Sequence, residues 1–335
     1  MRRVAIGLSL LIPVLLLAAT HTRAQAPQTS TERPEWAYAV NPPGSPAPPA
    51  AADDGRPWSL PGTDRTFTRA QIRDMFGPAD WYPDDHPPMP SIVAQGRRPN
   101  ARACGMCHYP NGKGRPENAG VAGLPVSYFV QQIHDFRSGV RKSAHPGKGN
   151  TNLMIEIAKA MTEEEIQAAA DYFGSMRWTP WIKVVETATV AKMRLAGGVH
   201  LPLEGAEAGT EPLGSRIVET PENVEHAENQ RDPRSGWIAY VPAGSVKKGE
   251  ALVTTGSNGR TVACSVCHGA DLMGLGPVPG IAGRSPSYVV RQMYDMQQGA
   301  RHGVWTELMK PVVEKLSNED MLNIAAYTAS LSPAN

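Results

Sequence analysis

Cys264-Ser265-Val266-Cys267-His268 is one of two C-x-x-C-H boxes in a chain of 335 residues; the other is Cys104-Gly105-Met106-Cys107-His108. In this pattern the two thiols share one helical turn, so both can form thioethers with the two vinyl groups of a single haem, and the adjacent imidazole reaches the iron. A zinc or thioredoxin-type pair has no use for that final histidine. All four cysteines of the chain sit in the two boxes, which leaves none for a disulfide framework. Two covalently bound haem c groups are therefore expected, one through Cys104 and Cys107 and one through Cys264 and Cys267.

The surroundings of the boxes repeat as well, the mark of an internal duplication. Cys104 to Arg141 aligns without a gap on Cys264 to Arg301. Ala122-Gly123 matches Ala282-Gly283, and Ser127-Tyr128 matches Ser287-Tyr288. Gln132, Asp135, Gly139 and Arg141 match Gln292, Asp295, Gly299 and Arg301. Small domains bury too little apolar surface to be comfortable alone, and a covalent haem supplies much of each missing core.

Around the boxes the pattern is mainly α-helical. After the first box comes a glycine-rich loop, then a helix over Ser127 to Ser138 that Gly139 ends. A second helix surrounds Met154 to Ala160, and a third starts at Thr162, whose Thr-x-x-Glu165 reads as a capping box, and runs to about Ser175. The second half repeats this, with Ser317-x-x-Asp320 opening the last helix. Ser245 to Thr255 reads as a leading helix with Ser245 as N-cap and Ala251-Leu252 inward. The first half has no clean equivalent, because Pro78, Pro83, Pro87, Pro88 and Pro90 break the chain after a short helix within Thr68 to Phe76.

The sixth position of each iron decides the function, since a thioether there fills the site and raises the potential. Met154 and Met309 occupy matching places in the duplication, each followed seven residues later by Met161 or Leu316 and then Thr162 or Ser317. The expected axial pairs are thus His108 with Met154 and His268 with Met309. Met161 is the rival methionine, and its Leu316 counterpart marks it as core. His145 and His302 are rivals for bis-histidine ligation but do not match each other. His134, His200 and His226 read as surface or packed histidines, Asp135 and Asp271 as solvated or capping, and Met273, Met293 and Met296 as core filler.

These features together resemble the tandem dihaem class I cytochromes c of the c-four type. The resemblance rests on CGMCH and CSVCH, the Ala-Gly and Ser-Tyr segments, FRSGVR and MQQGAR, and the two methionine helices; it covers roughly residues 96–177 and 245–331. It implies one-electron transfer between redox protein partners in the periplasm, as a free carrier or as the cytochrome subunit of a dehydrogenase, with no catalytic residues. In that family a proline carbonyl faces the proximal histidine. Pro279 fits this, whereas Ala119 stands at the matching place in the first half. A dihaem peroxidase or a gas-binding sensor is the alternative, and either needs an open iron.

The fold expectation is two tandem class I cytochrome c domains, 96–177 and 245–335, joined by an ordered connector with a few β-strands at 178–244. Trp181 to Val190 and Gly236 to Val241 carry the β-branched and aromatic residues of those strands. Residues 1–24 read as a secretory signal, with an uncleaved membrane anchor as the alternative. Residues 25–95 form a proline-rich extension, expected over 27–61 to be an unpacked leader.

The net charge of +1 points to no nucleic-acid partner. It is spread unevenly, however. Residues 96–149 hold nine Lys or Arg against Glu117 and Asp135, and residues 204–232 hold eight acids against Arg216 and Arg231. Either the basic stretch steers an acidic redox partner to the first haem, or the connector folds back and the charges neutralise internally.

Overall fold

The computed structural model describes residues 1, 32–42, 44–45 and 55–333. The expected signal segment lies almost wholly outside the described residues. Among the described residues no helix is long and apolar enough to cross a membrane.

The first half builds its core from the helices Val126–Ser138, Gly149–Ala160 and Glu163–Gly174. Phe129, Ile133, Phe136, Ile157, Ile166, Ala169 and Phe173 fill it, on the helical spacing seen in the sequence. Gly139 ends the first of these helices in the left-handed conformation (φ 77°). Thr162 and Glu165 form the anticipated capping box. The helix before the first box is reduced to one turn, Ser91–Ala94, after Pro90.

The second half has the full complement. Ser245–Thr255 packs across the last helix, Asn318–Ser330, and both pack with Pro286–Gln297 around Leu252, Val253, Val290, Tyr294, Leu316, Met321 and Ile324. Ser317 and Asp320 cap the last helix reciprocally. The leading helix differs in detail from expectation. Gly244 is its N-cap and Ser245 its first residue, and the buried pair is Leu252-Val253, one position along, because Ser245 is itself buried and sets the helix face.

Residues 178–244 form several short strands. Ile182–Glu186 pairs in parallel with Trp237–Val241, which pairs antiparallel with Val218–Pro221. Thr189–Ala191 pairs with Thr210–Pro212, and Met193–Ala196 with Val199–Pro202. This segment is riveted to both halves. Trp178 and Trp181 donate to the carbonyls of Ala282 and Gly283 at 3.1 and 3.2 Å. The buried Glu219 carboxylate accepts from the Ser285 hydroxyl and the Ser287 amide, both at 2.9 Å. The latter amide opens the Pro286–Gln297 helix, where the dipole favours an anion.

The unpacked leader expected over residues 27–61 is corrected where it is described. Glu35–Tyr38 is a helical turn with Ala37 and Tyr38 fully buried against the second half. Prolines confer extended geometry, yet one aromatic anchor suffices to seat such a strand. The Tyr38 hydroxyl donates to Asp295 at 2.6 Å, and the carbonyls of Ala37 and Tyr38 accept from Arg291 at 2.6 Å and Lys148 at 2.9 Å. Further along, Leu60, Ile72, Trp81 and Tyr82 make a small cluster of their own. The short helix there is Arg69–Ile72, capped by Thr68 and Gln71.

The crossing of the first and last helices of the second half depends on Gly249, where a Cβ would overlap the Asn323 carbonyl oxygen. Gly249→Ala is expected to cost about 1–3 kcal/mol by overpacking. Gly149→Ala, which meets nothing within 4 Å, should be near neutral. Denaturant unfolding of the holoprotein variants checks both.

Candidate haem-binding site

Both boxes fold as the helical turns that their spacing demands, Cys104–His108 and Ser265–His268, the latter with Cys264 as N-cap. The Nδ1 of His108 lies 2.8 Å from the Ala119 carbonyl oxygen, and that of His268 lies 2.7 Å from the Pro279 carbonyl oxygen. A carbonyl only accepts, so Nδ1 carries the proton in each ring and Nε2 keeps its lone pair for a metal. Ala119 thus offers the same acceptor as Pro279 without the proline. Burial holds both imidazoles below the usual histidine range, with the carbonyl bonds opposing it.

Cys104 and Cys264 are not prepared as thiolates. Burial pushes the Cys104 thiol up to about 12 and the Cys264 thiol up to about 11. Redox and zinc cysteines need depressed values instead. Among the described residues no group of three or more His, Cys, Asp or Glu side chains gathers as a metal-ion site.

One continuous cavity of about 340 Å³ takes in all four cysteines, His108, His268, Met154 and Met309. Its walls are largely apolar, including Phe129, Ile133, Phe173, Val289, Met293 and Ile324. Met154 lies half-buried on the Gly149–Ala160 helix, and Met309 follows the 3₁₀ turn Val304–Leu308. Met161 and Leu316 also touch the cavity, but both are buried in the cores, at 6% and 1% exposure. The rival histidines stand elsewhere. His145 packs on Tyr38 with ring centroids 5.7 Å apart, and exposed His302 is 2.9 Å from the Gly299 carbonyl; neither lines the cavity.

Where the two halves meet, the cavity wall is polar and nearly two-fold symmetric. Arg141 donates to Gln132 of its own half at 2.9 Å and to Tyr288 and Gln292 of the other at 3.1 and 3.0 Å. Arg301 mirrors it, donating to Gln292 at 3.0 Å and across to Tyr128 and Gln132 at 2.9 and 2.7 Å. The same residues form an antiparallel bridge. These are the positions that revealed the duplication. Motif matching alone did not show them as an interface, since a repeat in sequence does not say that the copies touch.

Both guanidiniums are buried, and their hydrogen-bond partners are neutral oxygens. The nearby Asp135 is taken by Gln131 and Gln132, and Asp295 by Tyr38 and the Ala144 amide. Buried cations facing a cavity without an anion are costly. Carboxylate-bearing haem fits that wall, and its apolar body fits the rest.

Comparison with known proteins agrees with this chemistry. Residues 93–177 match the family model described as Cytochrome c. Cytochrome c-554(548) of Halomonas halodenitrificans is 36% identical over 89 residues, covering 98% of that protein and 26% of this chain. The chain belongs to the cytochrome c family. The similarity extends further at lower identity. A thiosulfate dehydrogenase electron acceptor of Stutzerimonas stutzeri is 25% identical over 70% of this cytochrome and 82% of its own length. Cytochrome c4 of Azotobacter vinelandii is 24% identical over 69% and 85%. This cytochrome resembles the dihaem c4 type and holds covalent haem c, with two haems fitting that type.

The two clefts differ in their surroundings. Met106 in the first box is 6% exposed and its counterpart Val266 is 66% exposed. Solvent access and neighbouring charge both tune a haem. The two haems are therefore expected to titrate at different potentials; a spectroscopic redox titration that fits two identical potentials would refute this.

Proposed function

We propose that this chain is an exported, periplasmic dihaem cytochrome that carries single electrons between redox protein partners and catalyses no substrate chemistry. Its haem domains are residues 96–177 and 245–335, joined by the 178–244 connector. Cys104 and Cys107 hold one haem and Cys264 and Cys267 the other. His108 with Met154, and His268 with Met309, would hold the two irons. The observation that carries this reading is the single cavity, which gathers these eight residues and leaves out His145 and His302.

Bound haem c supplies an iron that cycles between ferrous and ferric states. The chain's own residues do the rest. The carbonyls of Ala119 and Pro279 orient the two imidazoles, the methionine thioethers fill the remaining positions, and the apolar walls exclude water. A methionine in both halves leaves no vacancy for a peroxidase or a gas sensor. The similarity to the Stutzerimonas thiosulfate dehydrogenase electron acceptor supports a carrier role. A membrane tether remains the outcome if residues 1–24 are retained.

The test is a redox titration combined with carbon monoxide binding to the reduced protein. Two haems, two reversible one-electron steps and no carbon monoxide binding are expected. Met154→Ala and Met309→Ala should each lower one potential and open one iron, giving one carbon monoxide per chain, because the thioether's preference for ferrous iron is lost. Met161→Leu should change neither. Loss of methionine ligation in Met161→Leu but not in Met154→Ala would reassign the first axial ligand.

A further inference from the structure

Apart from Met1, the large apolar side chains left exposed among the described residues are Val262, Val266, Leu275, Val304 and Leu308, and all five belong to the second half. Each lines the cavity or adjoins a residue that does. Val262 and Leu308 line the cavity themselves. The Thr261 hydroxyl donates to the Val312 carbonyl at 2.9 Å, which ties their two segments together. Val266 lies inside the second box. Leu275 is paired in register with cavity-lining Val278, and Val304 shares the 3₁₀ turn with Leu308. Cys267, which lines the cavity, is exposed as well.

The duplication provides an internal control. The residue in the place of Leu275, at 60% exposure, is Arg115, at 3%. The first-half face is closed by the connector. Arg231 donates to the Met106 carbonyl and lies over the Tyr109 ring at 5.4 Å; Asn111 donates to the Pro233 carbonyl at 2.8 Å; Arg115 pairs with Glu228. In the place of Val262 stands Arg102. One box face is capped by the chain itself, and the equivalent face of the other is left bare.

We propose that the mouth of the second haem cleft, ringed by Val262, Val266, Leu275, Val304 and Leu308, is the docking surface for a redox protein whose own cofactor edge is framed by uncharged apolar side chains. The proposal rests on the electron-carrier reading above. The chemistry of the partner follows from the rim. Between Arg260 and Arg284 the one Asp, Glu, Lys or Arg is Asp271, and between Arg301 and Lys310 it is Glu307. Such a rim offers little to a charged partner and most to an apolar one. The transience of the encounter follows from area. Val266, Leu275 and Val304, which do not line the cavity, expose on the order of 350 Å², within the range of functional patches but short of the roughly 800 Å² per partner in stable complexes. Electron transfer needs only brief contact, which suits a surface of this size.

Voltammetry of the holoprotein on gold tests this with two probe surfaces, a methyl-terminated and a carboxylate-terminated alkanethiol monolayer. The methyl surface should exchange electrons faster, at a rate indifferent to salt between about 0.05 and 0.5 M, over which the screening length shrinks severalfold. The double variant Leu275→Glu, Val304→Glu should slow exchange at the methyl surface by about tenfold or more, since a carboxylate must then be desolvated on contact. Its spectra and both potentials should stay as in the parent. Faster, salt-sensitive exchange at the carboxylate surface, or no effect of the double variant, overturns the proposal. So does a parent protein that sediments as a dimer and becomes monomeric in the double variant, because the patch then joins two copies of this chain. Failure of the carrier reading looks different: neither haem would titrate reversibly in solution.

Discussion

Two guanidinium groups buried in one apolar cavity set the constraint on which the arrangement of this molecule depends. Each arginine follows the glycine that stops a helix, Gly139 before Arg141 and Gly299 before Arg301. The left-handed turn brings the chain back, so that the amides of Arg141 and Arg301 donate to the carbonyls of Asp135 and Asp295, both at 3.0 Å. That turn aims each side chain across to the other half. Every guanidinium then bonds a glutamine of its own half and a tyrosine and glutamine of the other, so the halves cannot separate without breaking four hydrogen bonds together. Deleting one partner leaves the others unsatisfied, which is costlier than the bond itself. The carboxylates of bound haem would complete this wall, so cofactor binding and the joining of the halves are one energetic problem.

Around that symmetric centre the two copies have diverged by what covers them. The second half keeps the helix pair crossing at Gly249. The first has only the turn at Ser91–Ala94, and the material that replaces a leading helix comes from residues 55–95 and from the connector. The asymmetry reaches the buried acids as well. Asp135 is satisfied by two glutamines of its own helix, whereas its counterpart Asp295 is satisfied by Tyr38 and the Ala144 amide. The segment carrying Tyr38 therefore touches both halves, through Lys148 and Ala144 on one side and Arg291 and Asp295 on the other. A short segment placed there acts as a strap over the joint.

Much of this was legible in the amino-acid order because haem chemistry is local. Box spacing, helix caps at Thr162 and Ser317 and glycine stops all act within one or two turns, and periodicity reads that range well. What escaped is long-range. No local rule says that Tyr38 meets Asp295, 257 residues away, and a proline-rich composition argues against packing unless the one anchoring aromatic is recognised. The role of Arg141 and Arg301 escaped for a related reason. Their match across the copies was visible, but a buried arginine and a surface arginine look alike in sequence. The same holds for Val266 and Met106, which occupy one place in the repeat and differ by what the connector lays over them.

Burial also resolves the uneven charge of the chain. Of the nine basic residues between 96 and 149, Arg115, Arg141 and Lys148 are buried, Arg97 pairs with Glu165 at 2.7 Å, and Arg137 pairs with Glu163. On the acidic side, Glu228 is spent on Arg115, Glu219 is buried against Ser285 and Ser287, and Asp232 is buried with its carboxylate 3.6 Å from His226. Charges consumed in this way stabilise the docking of the connector and contribute little to the field beyond the surface, where salt screens within about 10 Å at 0.1 M. Of these contacts, Arg115 with Glu228 joins the basic stretch to the acidic one, whereas Arg97 and Arg137 find their partners within the first half. Arg102 and Lys142 still line the cavity on the first-half side, so part of the basic charge stays beside the first haem site, while the exposed apolar side chains lie on the second half.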